Sequence, residues 1–169
     1  MQEDPSRTFK LLKEALAKSN SASERLYLLA GLSRTEDEES MRQAIKLNFA
    51  TSPPKEVLQV MEMVEILQNL ADHPVGRGIQ WQYIKDNWDD VVAKIGHPIY
   101  MDHFVRISLS KFATEAGLAD VEEFFNDKDT TNYAQALQNA KEEVRSRAIY
   151  RQRDSVLLKK WLIENKYVQ

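Results

Sequence analysis

The sequence predicts an all-α fold, and three observations carry that expectation. Helix start and stop signals recur from one end of the 169 residues to the other. Apolar residues repeat at spacings of three and four, the period of one helical face. The strict alternation that marks a half-buried strand is nearly absent.

Taken in order, Ser6 or Thr8 is expected to cap a first helix carrying Phe9, Leu12 and Leu16. Ser21-Ala-Ser-Glu24 reads as a capping box, in which hydroxyl and carboxylate each satisfy a free backbone N–H. Behind it run Leu26, Leu29 and Ala30, ending near Gly31. Thr35-Glu-Asp-Glu38 repeats the device ahead of Met41, Ala44, Ile45 and Asn48. The acidic run Glu36 to Glu39 then lies in a first turn, where the helix dipole favours negative charge without any cation. Ser52-Pro53-Pro54 breaks the pattern. A long apolar segment follows, with Val57, Val60, Met61, Val64, Leu67 and Ala71 on one face. Leu58, Met63, Ile66 and Leu70 widen it, which predicts a helix sandwiched between neighbours, its methionines filling the core.

His73-Pro74 ends that helix, because the residue before proline is biased away from helix. Gly76-Arg77-Gly78 reads as a loop. It lacks the preceding strand and the third glycine of a dinucleotide fingerprint. Trp81, Ile84, Trp88, Val91, Val92 and Ile95 make one helical stripe, closed by Gly96-His97-Pro98. A helix from about Tyr100 to Ala113 places Phe104, Ile107 and Phe112 inward. A shorter one carries Leu118, Val121, Phe124 and Phe125, and Asp127 to Thr131 is a polar loop. Tyr133, Ala136, Leu137, Ala140, Val144 and Ala148 form a narrow stripe, and a final helix carries Val156, Leu157, Trp161 and Leu162. About nine helices result. They pair off at roughly 35–40 residues per pair, the period of stacked helix hairpins. The expected architecture is therefore antiparallel helix pairs stacked as a HEAT-like or armadillo-like superhelix over 1–169, with a compact bundle as the second choice.

Composition narrows the function. Lys and Arg number 23 against 26 Asp and Glu, a net charge of −3 that gives no broad pull on nucleic acid or anionic lipid. There is no Cys, hence no disulfide, thiolate metal site or thiol catalysis. No apolar run approaches the ~20 residues of a membrane-spanning helix. His73, His97 and His103 follow no metal-ligand spacing, and read as capping or surface histidines. Asp89 and Asp90 are adjacent, so they point to different sides of a helix and do not form a carboxylate pair. No G-x-S-x-G elbow and no phosphate-binding loop is present. The cluster Arg145, Arg147, Arg151, Arg153, Lys159 and Lys160, interleaved with Glu142, Glu143 and Asp154, reads first as a solvated salt-bridged face. Its sharper reading is a site for an anionic group such as a peptide carboxylate.

The order of several segments resembles one family. His73-Pro74-Val75-Gly76 leading to Trp81, Tyr83 and Asn87-Trp88 is similar to the C-terminal helical domain of gluzincin aminopeptidases. So are Phe112-Ala-Thr114, Leu118, Val121-Glu-Glu123, Phe124-Phe125, Arg147 and Trp161-Leu162, in that order. The group includes aminopeptidase N, puromycin-sensitive aminopeptidase and the endoplasmic-reticulum aminopeptidases. The resemblance implies a non-catalytic C-terminal part of a zinc-dependent aminopeptidase, a HEAT-like bowl covering the active-site chamber and contributing to peptide access and recognition. Zinc, its H-E-x-x-H helix and the Gly-x-Met-Glu-Asn substrate segment would lie in a separate catalytic domain, since none of those motifs occurs here. The implied partners are that catalytic domain and peptide substrates, with no nucleic acid and no membrane. No catalytic, cofactor or metal residue is assigned in this chain; Arg106, Arg147 and Arg151 are the candidate peptide contacts. The alternative is a free-standing HEAT-like interaction scaffold. Eight Asn with no Asn-x-Ser/Thr acceptor, together with the lack of Cys, favour a cytoplasmic setting.

Overall fold

Asp4, rather than Ser6 or Thr8, starts the first helix: its carboxylate accepts from the N–H groups of Ser6 (3.1 Å) and Arg7 (3.4 Å), and Pro5 occupies the first helical position. The computed structural model describes residues 4–50 and 58–168. The expected break at Ser52-Pro53-Pro54 and the position of Val57 lie outside them. Within the described residues are nine α-helices: α1 Pro5–Lys18, α2 Ala22–Ser33, α3 Glu38–Asn48, α4 Val60–Asp72, α5 Pro74–Asp86, α6 Trp88–Ile95, α7 Pro98–Leu109, α8 Glu115–Phe125 and α9 Ala134–Glu164. A 3-10 turn, Thr131–Tyr133, precedes α9, and the described residues contain no strand. The chain divides into two compact units, Met1–Ser108 and Leu109–Gln169.

The caps depart in detail from the sequence pattern. Ser21 caps α2 through the N–H of Glu24 as expected, but Glu24 turns to the Ser19 hydroxyl (2.5 Å) instead of closing the box. Before α3 the cap is Asp37, which accepts from Ser40 N–H at 2.8 Å, while Thr35, two residues earlier, accepts from the Asp37 N–H. Two larger corrections follow. Gly76 and Gly78 are not loop residues: α5 begins at Pro74, with the His73 ring as its cap. The stripe from Trp81 to Ile95 then spans two helices, interrupted at Asn87, whose side-chain amide donates to the Tyr83 carbonyl at 2.8 Å. The apolar phase survives the break, so Trp81, Ile84, Trp88, Val91 and Ile95 are all buried. At the other end, the two helices expected across Ala134 to Leu162 are one helix of 31 residues. Neither Gly nor Pro falls between Ala134 and Glu164, so nothing terminates it.

In the first unit, α4 is packed against α2, α3 and α5, as its wide apolar face predicted. Met63, Ile66, Leu67, Leu70 and Ala71 are its buried residues. Met61 is not among them; it is 69% exposed. Positions 61 and 63 lie about 200° apart around a helix, so they cannot share a face.

The pairs α2–α3 and α4–α5 stack in a fixed register. Arg25 of α2 meets Glu62 of α4, 37 residues on, through Nε and through Nη2 (3.1 Å). Nine residues on, just past the end of α2, Arg34 donates to Asn69 (3.0 Å), and Asn69 donates to Ser33 (2.9 Å), 36 residues apart. Glu36, ahead of α3, reaches the Nε2 of His73, ahead of α5, at 3.0 Å and again 37 residues on. At the far ends of the same helices Phe49 and Tyr83 stack, ring centroids 5.6 Å apart. Residue numbers rise together along each pair, so α2 runs parallel to α4 and α3 to α5. This is the geometry of stacked antiparallel hairpins with a period near 37.

The second unit packs α8 against α9. Leu118, Val121 and Phe125 are buried on α8, and Leu137, Ala140 and Val144 on α9. Tyr133 sits against Phe125, centroids 6.3 Å apart, and its hydroxyl donates to the Asp129 carbonyl at 3.2 Å. Burial first, and the Asp129 charge second, push its phenol up to about 12.

Two stability predictions follow from these contacts. A Cβ on Gly76 would lie 2.9 Å from the Leu70 carbonyl oxygen, whereas one on Gly78 would meet nothing within 4 Å. Gly76→Ala should therefore cost about 1–3 kcal/mol by overpacking against backbone. Gly78→Ala should stabilise by about 0.4–1 kcal/mol. Urea denaturation of both variants distinguishes them. At Glu62, burial is the largest single influence and pushes the carboxyl up. The Arg25 hydrogen bond, the Gln59 N–H and the Arg25 charge together outweigh it and hold the group below its usual 4.5. A carboxylate depressed by folding stabilises above its unfolded value and loses that contribution as pH falls through the folded one. Wild type should thus lose stability below about pH 4.5, and Glu62→Gln should lower stability at pH 7 by about 1–3 kcal/mol and show a shallower acid loss. Equal acid slopes in the two proteins would contradict this.

Candidate functional site

Met61 borders a shallow apolar groove in the first unit, enclosing only about 20 Å³. Its walls are Val60, Met61 and Val64 of α4, and Tyr100, His103 and Ile107 of α7, with Leu67 and Phe104 toward the floor. Ile99, next along α7, is 69% exposed, and Tyr100 is exposed beside it. The lining is almost wholly apolar. The sequence reading missed this groove because it assigned both methionines to the core; the half-turn offset between them was the available signal.

A second cavity, of about 220 Å³, lies among Phe9 and Leu12 of α1, Gly31 and Leu32 of α2, and the Arg34–Thr35 turn. That is below the roughly 300–1,000 Å³ of most small-molecule sites. Arg34 is also already bonded to Asn69, and its Nη2 lies 3.6 Å from Glu65.

The three candidate arginines fall in both units. Arg106 is exposed on α7, in the first. Arg147 and Arg151 lie one turn apart on α9, in the second, which places them on a common side of that helix. Arg147 is half-buried and paired with Glu143, and its Nη1 is buried without a hydrogen-bond partner. Arg151 is exposed. Of their basic neighbours, Arg145 pairs with Glu122 (3.1 Å), Arg153 with Asp154 (2.8 Å) and Lys160 with Glu164 (3.8 Å). These are exposed pairs, each contributing little on its own.

Two of the three histidines are occupied structurally, and His103 is exposed on the groove wall. His73 accepts the Gly76 N–H on Nδ1 (3.2 Å), which leaves Nε2 to donate to Glu36. His97 accepts the Ile99 N–H on Nδ1 (3.3 Å) and lies edge-on to Tyr100. Among the described residues no group of three or more His, Asp or Glu is placed to hold a metal ion. These residues do not fit a zinc centre. Tyr83, pushed up by burial and then by Asp90, and Lys94, pushed down by burial and donating to the Ala50 carbonyl at 3.3 Å, stand on separate helices. No helix among the described residues is long and apolar enough to cross a membrane.

Stacked helix pairs, an apolar groove and no convergent set of reactive groups among the described residues define a helical-repeat domain. Over residues 2–146 the chain matches the family described as ERAP1-like C-terminal domain, and it belongs to that family. Its relatives are aminopeptidases. Aminopeptidase 2 of Candida albicans is 24% identical over 164 residues, covering 96% of this chain and 17% of that protein. Endoplasmic reticulum aminopeptidase 1 of Rattus norvegicus is 27% identical over 110 residues, 64% of this chain and 11% of the relative. Aminopeptidase M1-B of Oryza sativa subsp. japonica is 36% identical over 70 residues, 41% and 8% respectively. The chain thus spans less than a fifth of the length of each of these curated relatives.

Proposed function

We propose that residues 1–169 serve as a non-catalytic C-terminal domain of a zinc-dependent aminopeptidase. The observation that carries this reading is the family match over 2–146, made with relatives several times longer than the chain. In this reading the stacked helix pairs form a wall beside an active-site chamber held in a catalytic domain of the same parent protein. The zinc ion and the hydrolytic water belong to that domain. The wall limits access to peptides and adds binding energy away from the scissile bond, which favours reaction of longer substrates. Arg106 in the first unit, and separately Arg147 and Arg151 in the second, are the candidates proposed to meet a peptide's C-terminal carboxylate, because a guanidinium and a carboxylate make paired, charge-assisted hydrogen bonds. Work on cytoplasmic peptides is the setting we assign.

The isolated chain, supplied with zinc, is expected to leave aminoacyl p-nitroanilides intact; release of nitroaniline above buffer would defeat the reading. It is also expected to bind a labelled decapeptide with a free C-terminal carboxylate more tightly than the amidated peptide. Arg147→Gln with Arg151→Gln should remove that difference, about tenfold in affinity, without weakening the amidated peptide. Equal binding of the two peptides by wild type would remove these arginines from the site.

A further inference from the structure

Burial on α9 ends at Ala148. From Ile149 to Val168 no residue is buried, and Leu162 alone is half-buried. Val156 is 65% and Trp161 50% exposed, with Ile149, Tyr150, Leu157, Leu158 and Ile163 exposed beside them. Tyr167 stacks on Trp161, centroids 5.5 Å apart, yet both rings stay open to solvent. These apolar residues do not share one face. At about 100° per residue, Ile149, Val156 and Ile163 lie along one side, and Leu157 and Trp161 about a quarter-turn round. Leu158 and Leu162 lie opposite the first set. A helix on the surface of a folded chain has one apolar side, whereas one that is apolar all round is an enclosed helix.

Two features indicate what encloses it. Residues 149–168 hold five Lys and Arg against Asp154 and Glu164, a net +3 in a chain whose total is −3. Arg151 and Lys159 enter no ion pair among the described residues. The complementary surface is therefore acidic as well as apolar. It must also reach opposite sides of the helix. A helix lying on an anionic bilayer needs one apolar face and one cationic face. Here the cations are interleaved with the apolar residues: Arg153 and Lys160 fall beside Ile149, and Arg151 falls between Leu158 and Leu162. A flat surface that covers one apolar set leaves the opposite set in water. A parallel pair of two α9 helices sets every cation opposite itself.

We propose that the distal half of α9 is a docking helix for an acidic protein that closes an apolar groove around it, the chemistry of a calcium-loaded EF-hand sensor. Calcium opens a methionine-rich groove in each lobe of such a sensor. Methionine adapts to apolar side chains at irregular positions, which suits a helix without a single stripe. Ile149, Val156 and Ile163 enter one apolar surface, and Leu158 and Leu162 enter the other. Arg151 and Lys159 meet carboxylates at the rim. The inference does not rest on the aminopeptidase reading, and its test involves no peptide substrate.

Calorimetric titration of the full chain with calcium-loaded calmodulin as the probe tests it. A one-to-one complex with a dissociation constant of about 1 µM or below is expected, abolished by a calcium chelator and weakened at high salt. Val156→Glu and Leu158→Glu change exposed residues about 160° apart around the helix, and circular dichroism should show both variants folded. Each alone should raise the dissociation constant at least about tenfold. The absence of a complex at about 100 µM would overturn the proposal. So would a complex that only one of the two variants weakens, since a one-sided contact is not enclosure. A chain that sediments with phosphatidylserine vesicles but does not bind calmodulin, or that dimerises through these residues instead, would overturn it as well.

Discussion

The contact on which the first unit depends is the Arg25–Glu62 pair. Arg25 leaves α2, donates to the Leu16 carbonyl at the end of α1 (3.1 Å) and grips both oxygens of Glu62 on α4. Glu62 in turn accepts the Gln59 N–H at 2.9 Å and so closes the start of α4. One ion pair, about one-seventh exposed on either side, thus sets three helices against each other. Apolar packing alone would tolerate sliding by a turn, since Leu and Ile stripes repeat every three or four residues. A directional pair with both ends hydrogen-bonded does not, and a slip would leave two charges without partners. With that end fixed, the Arg34–Asn69–Ser33 and Glu36–His73 bonds fall within an offset of 35 to 37 residues.

Much of this was legible in the sequence, for physical reasons that also explain the failures. Helical periodicity identified most of the buried stripes in α3, α5, α6 and α8, because burial imposes the 3.6-residue phase wherever a helix has one covered face; Val92 is exposed and Phe124 half-buried against expectation, and the buried Ile79 and Gln80 fall outside the expected stripe. The repeat period was also legible, from the length of each pair rather than from any shared residues. The ends of elements were less so. Asp4, Ser6 and Thr8 are all cap candidates for α1, and Thr35 and Asp37 for α3, and side-chain chemistry alone does not say which residue wins. Gly76 was misread because glycine serves both as a loop residue and as the only residue that lets α5 approach the Leu70 carbonyl. The unbroken α9 was misread because its polar stretch from Arg151 to Ser155 suggests a link, although it contains no helix breaker. Met61 and the α4–α7 groove were missed for a tertiary reason: a helix hydrophobic on most sides does not declare which side a neighbour leaves uncovered.

Of the candidate site, the sequence located charge and not geometry. It indicated the arginine-rich stretch of α9 and read it as a salt-bridged face, and the pairs at Arg145, Arg147, Arg153 and Lys160 are of that kind. It gave no means of separating Arg106 from Arg147 and Arg151, which the fold assigns to different units. The family match adds the biological frame: a domain built from stacked helices, in relatives whose names are those of aminopeptidases. A repeat wall suits that frame because its ladder of fixed contacts holds a broad surface rigid without needing any reactive group of its own.

The register of the stack is the central structural claim, and a double-mutant cycle on Arg25→Met and Glu62→Met addresses it most directly. If the pair sets the register, each single variant leaves one charge stranded, and the double variant recovers part of the loss. The coupling energy from urea unfolding should then be about 1–3 kcal/mol. Additive losses, with coupling within about 0.5 kcal/mol of zero, would mean that the helices find their register without it.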